Sequence, residues 1–249
     1  MNYKSKNLYP LFYFFSLIAL VGLTACDVEE DTGTNEAEVS EEEAAEAIQL
    51  VITPKTNGMV EATIEATVLI SLSYSVEEGY AYACNTAYSD SRSISYEGAN
   101  GSYEGQHNWD WLLNCVGAQP ESFRVDLDGN LDYTTTRMNS QDAMQAELLV
   151  DDLEASSPNF TVNQRYIRSG RQVSKIRDER TFTSTITVVT SDLIISKETQ
   201  LITSGMAEVT LEGKSSTGNS FTYSGILVFN GDQTATLTMA GGNTYTFDW

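Results

Sequence analysis

The chain has 249 residues, of which 14 are Lys or Arg and 35 are Asp or Glu, giving a formal net charge of −21. That balance argues against a nucleic-acid partner, whose phosphates demand a basic footprint, and against a body lying flat on anionic lipid. One histidine and three cysteines leave no zinc spacing, and no cofactor-binding glycine loop or nucleophile elbow occurs, so no cofactor is expected.

Residues 1–25 read as an export signal: Lys4 and Lys6, then the apolar stretch Leu11 to Gly22, then a small-residue cleavage step. The run is shorter than the roughly 20 residues a spanning helix needs, and Asp27 stops it. Leu23-Thr24-Ala25-Cys26 resembles the lipobox of bacterial lipoproteins, which implies that Cys26 becomes the acylated mature N-terminus. Several acyl chains at about 0.8 kcal/mol per buried CH₂ would anchor a domain without a spanning helix. Without Lys4 and Lys6 the mature chain carries 12 basic against 35 acidic residues, a net charge of −23.

Between Asp27 and Ile52 there are ten acids and no Lys or Arg. Residues 26–39 therefore read as a lipidated, self-repelling tether. Acids directly behind the cysteine also resemble the surface-export signal of Bacteroidota lipoproteins. The expected address is the outer membrane, at the cell surface or otherwise on its periplasmic face.

Residues 40–76 are expected to be helical. Ser40 and Glu43 form a capping box, Ala44, Ala47, Ile48 and Val51 follow at helical spacing, and Pro54, Asn57 and Gly58 end this first short helix. "VEATIEATVLISLSY" fits a strand by alternation and a helix by its i, i+4 spacing; its length of fifteen residues favours a helix.

From 77 to 249 the composition becomes that of strands, rich in Thr, Ser, Tyr, Val and Ile with recurrent turn residues. In "QHNWDWLLNC", His107, Trp109, Trp111, Leu113 and Cys115 share one strand face. That face is expected to be core; the functional alternative is an aromatic platform of Trp109 and Trp111 for sugars or peptides. Any Ser-His or Cys-His chemistry would have to use His107. "FRVDLDGNLDY" reads as a hairpin turning at Asp128-Gly129-Asn130, with Asp126 opposite Asp132. Asp126, Asp128, Asn130 and Asp132 are a weak Ca²⁺ candidate, because Leu131 and Arg137 break the EF-hand pattern. Arg165, Arg168, Arg171, Lys175, Arg177 and Arg180 gather around a second expected hairpin at Ser169-Gly170. Local ion pairing is the expected role; an anion-binding edge of Arg165, Arg168, Arg171 and Lys175 is the functional alternative.

In "TFTSTITVVTSDLII" the inward parity runs Phe182, Ile186, Val188 and then shifts to Leu193 and Ile195, which predicts a bulge near Val188-Val189. Downstream, Phe229 is expected opposite Ala235 and Leu227 opposite Leu237. The flanking hairpins are expected to set Met239 opposite Tyr245 and Leu211 opposite Phe221. All the loops keep one parity, so an apolar row from Ala207 to Trp249 faces in and a Ser/Thr row faces out. The fold class expected is mainly β. It is an antiparallel up-and-down meander bent into a strongly curved sheet or partial barrel, with the helical region packed on it; the alternative is a two-sheet sandwich.

With Cys26 lipidated, Cys84 and Cys115 remain, and in an oxidising compartment they read as one disulfide. The phrases "RSGRQVSKIRDERTFTSTITV", "SGMAEVTLEG", "FTYSGILVFNGDQTATLTMAGGNTYTF" and "NCVGAQPESF" resemble a Flavobacteriia-type family of Bacteroidota surface lipoproteins. The resemblance implies anchoring, a paired Cys84 and Cys115 and a β-rich fold. It implies no activity and no functional residues.

The function expected from these features is non-enzymatic surface binding or scaffolding, with a membrane contact through Cys26 and a glycan or protein partner. The alternatives are a carrier of an apolar ligand held by the curved sheet and a glycan-binding or glycan-acting protein.

Overall fold

The computed structural model describes residues 39–75, 79–176 and 179–249. The signal segment, Cys26 and all but the last residue of the tether lie outside them.

The described chain begins with α1 (Glu41–Ile52), a single 3₁₀ turn (Pro54–Thr56) and α2 (Met59–Ser73). Ser40 caps α1, its Oγ accepting from the Glu43 amide at 3.2 Å. The ambiguous stretch is a helix. Met59, Ala62, Thr63, Ala66, Thr67 and Ile70 form its buried stripe at helical spacing, while Ile64, Val68 and Leu69 on the other side are half-buried, which is why apolar residues also fall at alternate positions. A two-residue ladder follows, β1 (Tyr74–Ser75) with β2 (Gly79–Tyr80).

Ten further strands form one sheet: β3 (Ala87–Gly98), β4 (Gly101–Val116), β5 (Gln119–Thr135), β6 (Met138–Asp151), β7 (Asn159–Ser174), β8 (Thr181–Ser196), β9 (Ile202–Ser215), β10 (Ser220–Gly231), β11 (Thr234–Met239) and β12 (Thr244–Asp248). Every strand pairs antiparallel with its sequence neighbour, and β3 and β12 are the open edges. The fold is therefore a mainly β, ten-stranded meander with two helices packed on it, and not a sandwich.

Two expected hairpins are absent. Residues 119–135 run as one strand through Asp128-Gly129-Asn130, and residues 159–174 run as one strand through Ser169-Gly170. Glycine marks close approach at both places rather than a turn. A Cβ at Gly170 would overlap Asp142 Oδ1 and the Gln141 carbonyl, and one at Gly129 would stand 3.0 Å from His107 Cδ2.

Gly170 belongs to a row that crosses seven strands on the inner face: Gly105, Leu131, Asp142, Gly170, Ser184, Gly213 and Phe221. Small residues give the neighbours' side chains room to lean in and let long strands bend together. The bulge in β8 lies at Ser191-Asp192, three residues beyond its expected place, with Asp192 at φ 57°. Phe229 pairs with Ala235 and Leu227 with Leu237 as expected. The flanking hairpins slip by two residues, so that Leu237 pairs with Tyr245 and Tyr223 with Leu211. Parity survives a slip of two, so the inward row is unchanged.

The core lies between that row and the helices. Ile48, Ile52, Met59 and Ile70 from the helices and Phe123, Val188, Leu211 and Leu237 from the sheet are all sealed from solvent. Each such side chain contributes roughly 1.5–3 kcal/mol of burial. Polar ties fix the helices in place: Thr63 Oγ1 donates to Gln164 Oε1 at 2.9 Å and Tyr223 Oη to the Val39 carbonyl at 2.6 Å.

Candidate functional site: a tyrosine groove beside the open edge

Several sequence candidates serve the fold instead. Trp109 is 1% exposed and Trp111 is half-buried. Trp111 stacks on Tyr88 at 6.1 Å between centroids and meets Tyr82 edge-on at 5.8 Å, while Tyr82 stacks on Phe123 at 5.9 Å. Trp109 is thus core, while Trp111 sits in a half-buried ring cluster packed under the segment before β3. The Cys84–Cys115 disulfide pins that segment, and Asn85 adds three bonds: its Oδ1 accepts from the Cys115 amide at 3.1 Å, its Nδ2 donates to the Cys115 carbonyl at 3.3 Å, and its backbone amide donates to the Leu113 carbonyl at 2.8 Å.

Asp126, Asp128, Asn130 and Asp132 all point outward from one extended strand, so they cannot converge on one ion. Among the described residues no group of three or more His, Cys, Asp or Glu side chains is placed to hold a metal. Asp126 is not opposite Asp132: its cross-strand neighbours are Asp110 and Glu147, and it pairs along its own strand with Arg124 at 3.0 Å.

The arginines do not share an edge either. Strand periodicity puts Arg165 and Arg171 outside and Arg168 inside. Arg165 stands opposite Glu147, ending the outer row Asp110–Asp126–Glu147; Arg171 stands opposite Gln141, ending the row Glu104–Asp132–Gln141. Arg165 thus faces an acid on the neighbouring strand, whereas Arg171 faces the neutral Gln141. Lys175 Nζ caps the Thr135 carbonyl at 2.7 Å, Arg180 lies 3.7 Å from Glu43, and Arg177 falls outside the described residues.

Arg168 is the residue that the sequence reading placed least well. It is 1% exposed on the inner face. Its Nη2 donates to the Asn57 carbonyl at 2.8 Å, the Thr56 carbonyl at 3.2 Å and Tyr166 Oη at 2.8 Å, and its Nε lies 3.9 Å from Asp142 Oδ2. The Tyr166 and Tyr133 rings flank the guanidinium at 5.7 and 5.9 Å. Burial opposes its charge, but Tyr166, Asp142 and Tyr133 outweigh burial and raise its pKa. Burial likewise lifts the Asp142 carboxyl above its ordinary value, against the pull of Arg168 and a Ser140 hydrogen bond. Two strands over, burial pushes the His107 imidazole down to about 4, with the Arg168 and Arg92 charges acting the same way. A neutral histidine sealed in the core offers no base to solvent.

The carbonyls that Arg168 holds belong to the α1–α2 connection, where Asn57 is left-handed at φ 49°. Tyr103 lines the groove beside that connection. Tyr103 stacks on Tyr96, its partner across the β3–β4 hairpin, with centroids 5.6 Å apart and planes 26° from parallel. These rings open onto a groove of about 610 Å³ between the helix connection and the tips of two hairpins. Glu46, Gln49, Lys55 and Glu61 line one side; Asn100, Thr136 and Arg137 line the other. Arg137 Nε donates to Glu46 Oε1 at 2.8 Å, closing the groove with an ion pair. Burial raises the pKa of the Glu61 carboxyl. Sequence reasoning missed this site because its residues come from three separate stretches, 46–61, 96–103 and 135–138, and none forms a motif. The one local signal was Tyr96 two residues before Gly98 at a hairpin tip.

Among the described residues no helix is long and apolar enough to cross a membrane. No protein-family model, no curated protein and no solved structure matches the chain.

Proposed function

We propose that this chain is a lipid-anchored, non-enzymatic binding protein of a bacterial cell envelope, held in the outer membrane by acyl chains on Cys26. It belongs, on this reading, with the Bacteroidota surface lipoproteins it resembles. The observation that carries the proposal is the order of segments. A lipobox-like step at Cys26 is followed at once by an acidic stretch, and the described residues open with a helix that Ser40 caps. The tether's charge would hold the domain away from an anionic surface and present its far faces to a partner.

The alternative of an apolar carrier is disfavoured by α1 and α2, which occupy the sheet's inner face with side chains that are 0–2% exposed. Contact is therefore assigned to the surface, where the groove beside Tyr96 and Tyr103 offers a concavity of small-ligand size.

Metabolic labelling with an alkyne fatty acid tests the anchor. Wild type should label and Cys26→Ala should not, and protease added to intact cells should digest the wild type. Labelling that persists in Cys26→Ala contradicts the anchor, and protection of the wild type in intact cells contradicts the surface address.

A further inference from the structure

We propose that the groove between the α1–α2 connection and the β3–β4 hairpin binds a neutral saccharide, with a sugar ring stacked on Tyr96. The proposal rests on reading the chain as a binding protein but not on the lipid anchor.

Tyr96 is 53% exposed, yet it is held. Its ring lies over Gly98, where any Cβ would collide with it, and stacks on Tyr103. The helix connection that forms the groove's other wall is held by the buried Arg168, which donates to the Asn57 carbonyl at 2.8 Å. An exposed aromatic face that is already ordered loses little freedom on binding, which is what a weakly apolar pyranose face requires.

The charges select against other ligand classes. Around a mature chain of net −23, the groove pairs Arg137 with Glu46 and also holds Lys55 and Glu61, so it carries two cations and two carboxylates. A polyanion would meet the two carboxylates, and a polycation the two cations. A neutral polyol meets neither penalty, and its hydroxyls, each donor and acceptor, suit an ion pair flanked by the Gln49, Asn100 and Thr136 side chains. A volume of about 610 Å³ falls within the range of small-ligand sites.

The test uses the intact chain in a non-glycosidic detergent, titrated with maltohexaose, cellohexaose, laminarihexaose and mannohexaose while the tyrosine ring signals are followed by NMR. At least one of the four should shift the Tyr96 and Tyr103 signals saturably. Tyr96→Ala should weaken that binding by about tenfold or more without lowering the melting temperature, Tyr96→Phe should retain it, and the outer-face Arg165→Ala should leave it unchanged. The proposal is overturned if none of the four shifts those rings, or if binding survives Tyr96→Ala undiminished. It is also overturned if only a hexagalacturonate binds, with affinity falling steeply in salt. Loss of fatty-acid labelling at Cys26 would leave it standing, so the two failures are distinguishable.

Discussion

Arg168 Nη2 and the Asn57 carbonyl lie 2.8 Å apart across 111 positions of sequence, and through that bond the middle of β7 holds the joint between the two helices. Replacing Arg168 by Met removes the donor to two carbonyls and leaves Asp142 buried without its cation. The expected cost is about 3–5 kcal/mol, read as a lower urea midpoint. Adding Asp142→Asn to Arg168→Met should recover part of it, and a double-mutant cycle measures how much. Full additivity of the two changes would separate Asp142 from the latch.

His107 makes stability depend on pH in a defined direction. Its folded pKa, about 4, lies below the ordinary 6.5, so the unfolded chain takes up its proton first as pH falls. The contribution is fully present above pH 6.5 and is lost as pH falls from there toward 4, by as much as about 3 kcal/mol. His107→Gln removes the titration. The stability gap between wild type and variant should therefore shift against the wild type across that window, by denaturant unfolding at each pH. A gap independent of pH would contradict the burial of His107.

The Cys84–Cys115 disulfide closes a separation of 31 residues. Reduction should cost about 3–4 kcal/mol in the chain-entropy account. Because it pins the segment carrying Tyr82, reduction should also raise hydrogen exchange first at residues 79–86. Uniform exchange changes across the sheet would argue that the bridge acts only on the unfolded chain.

Gly170→Ala places a Cβ against Asp142 Oδ1 and the Gln141 carbonyl. The strain should cost about 1–3 kcal/mol by thermal unfolding, whereas Gly117→Ala, with open space around it, should not act through packing at all. A harmless Gly170→Ala would contradict the close approach of β6 and β7.

Faces were legible in the sequence and tips were not. Alternation fixed which side of β10 and β11 turned inward, because a one-residue slip would expose Leu227, Phe229 and Leu237 together. A two-residue slip moves nothing between faces, and both flanking hairpins differ from expectation by that amount. Asp-Gly and Ser-Gly suggested turns at Gly129 and Gly170, although each glycine makes room for a neighbouring strand's side chain. Arg165, Arg168 and Arg171 looked like one stripe because sequence proximity hides strand parity, which sends the middle one into the core. The groove depended on long-range register and was invisible for that reason.

The central claim is that the chain fills its own curved sheet and meets its partner at the surface. Native-state hydrogen exchange of α2, Met59–Ser73, tests it most directly. The account predicts that the amides of Ala66 and Ile70 exchange only through global unfolding, together with the centres of β6 and β7. Exchange of α2 well before those strands, with a hydrophobic dye binding the otherwise folded protein, would mean that the helix leaves the sheet and that the inner face is a ligand pocket after all.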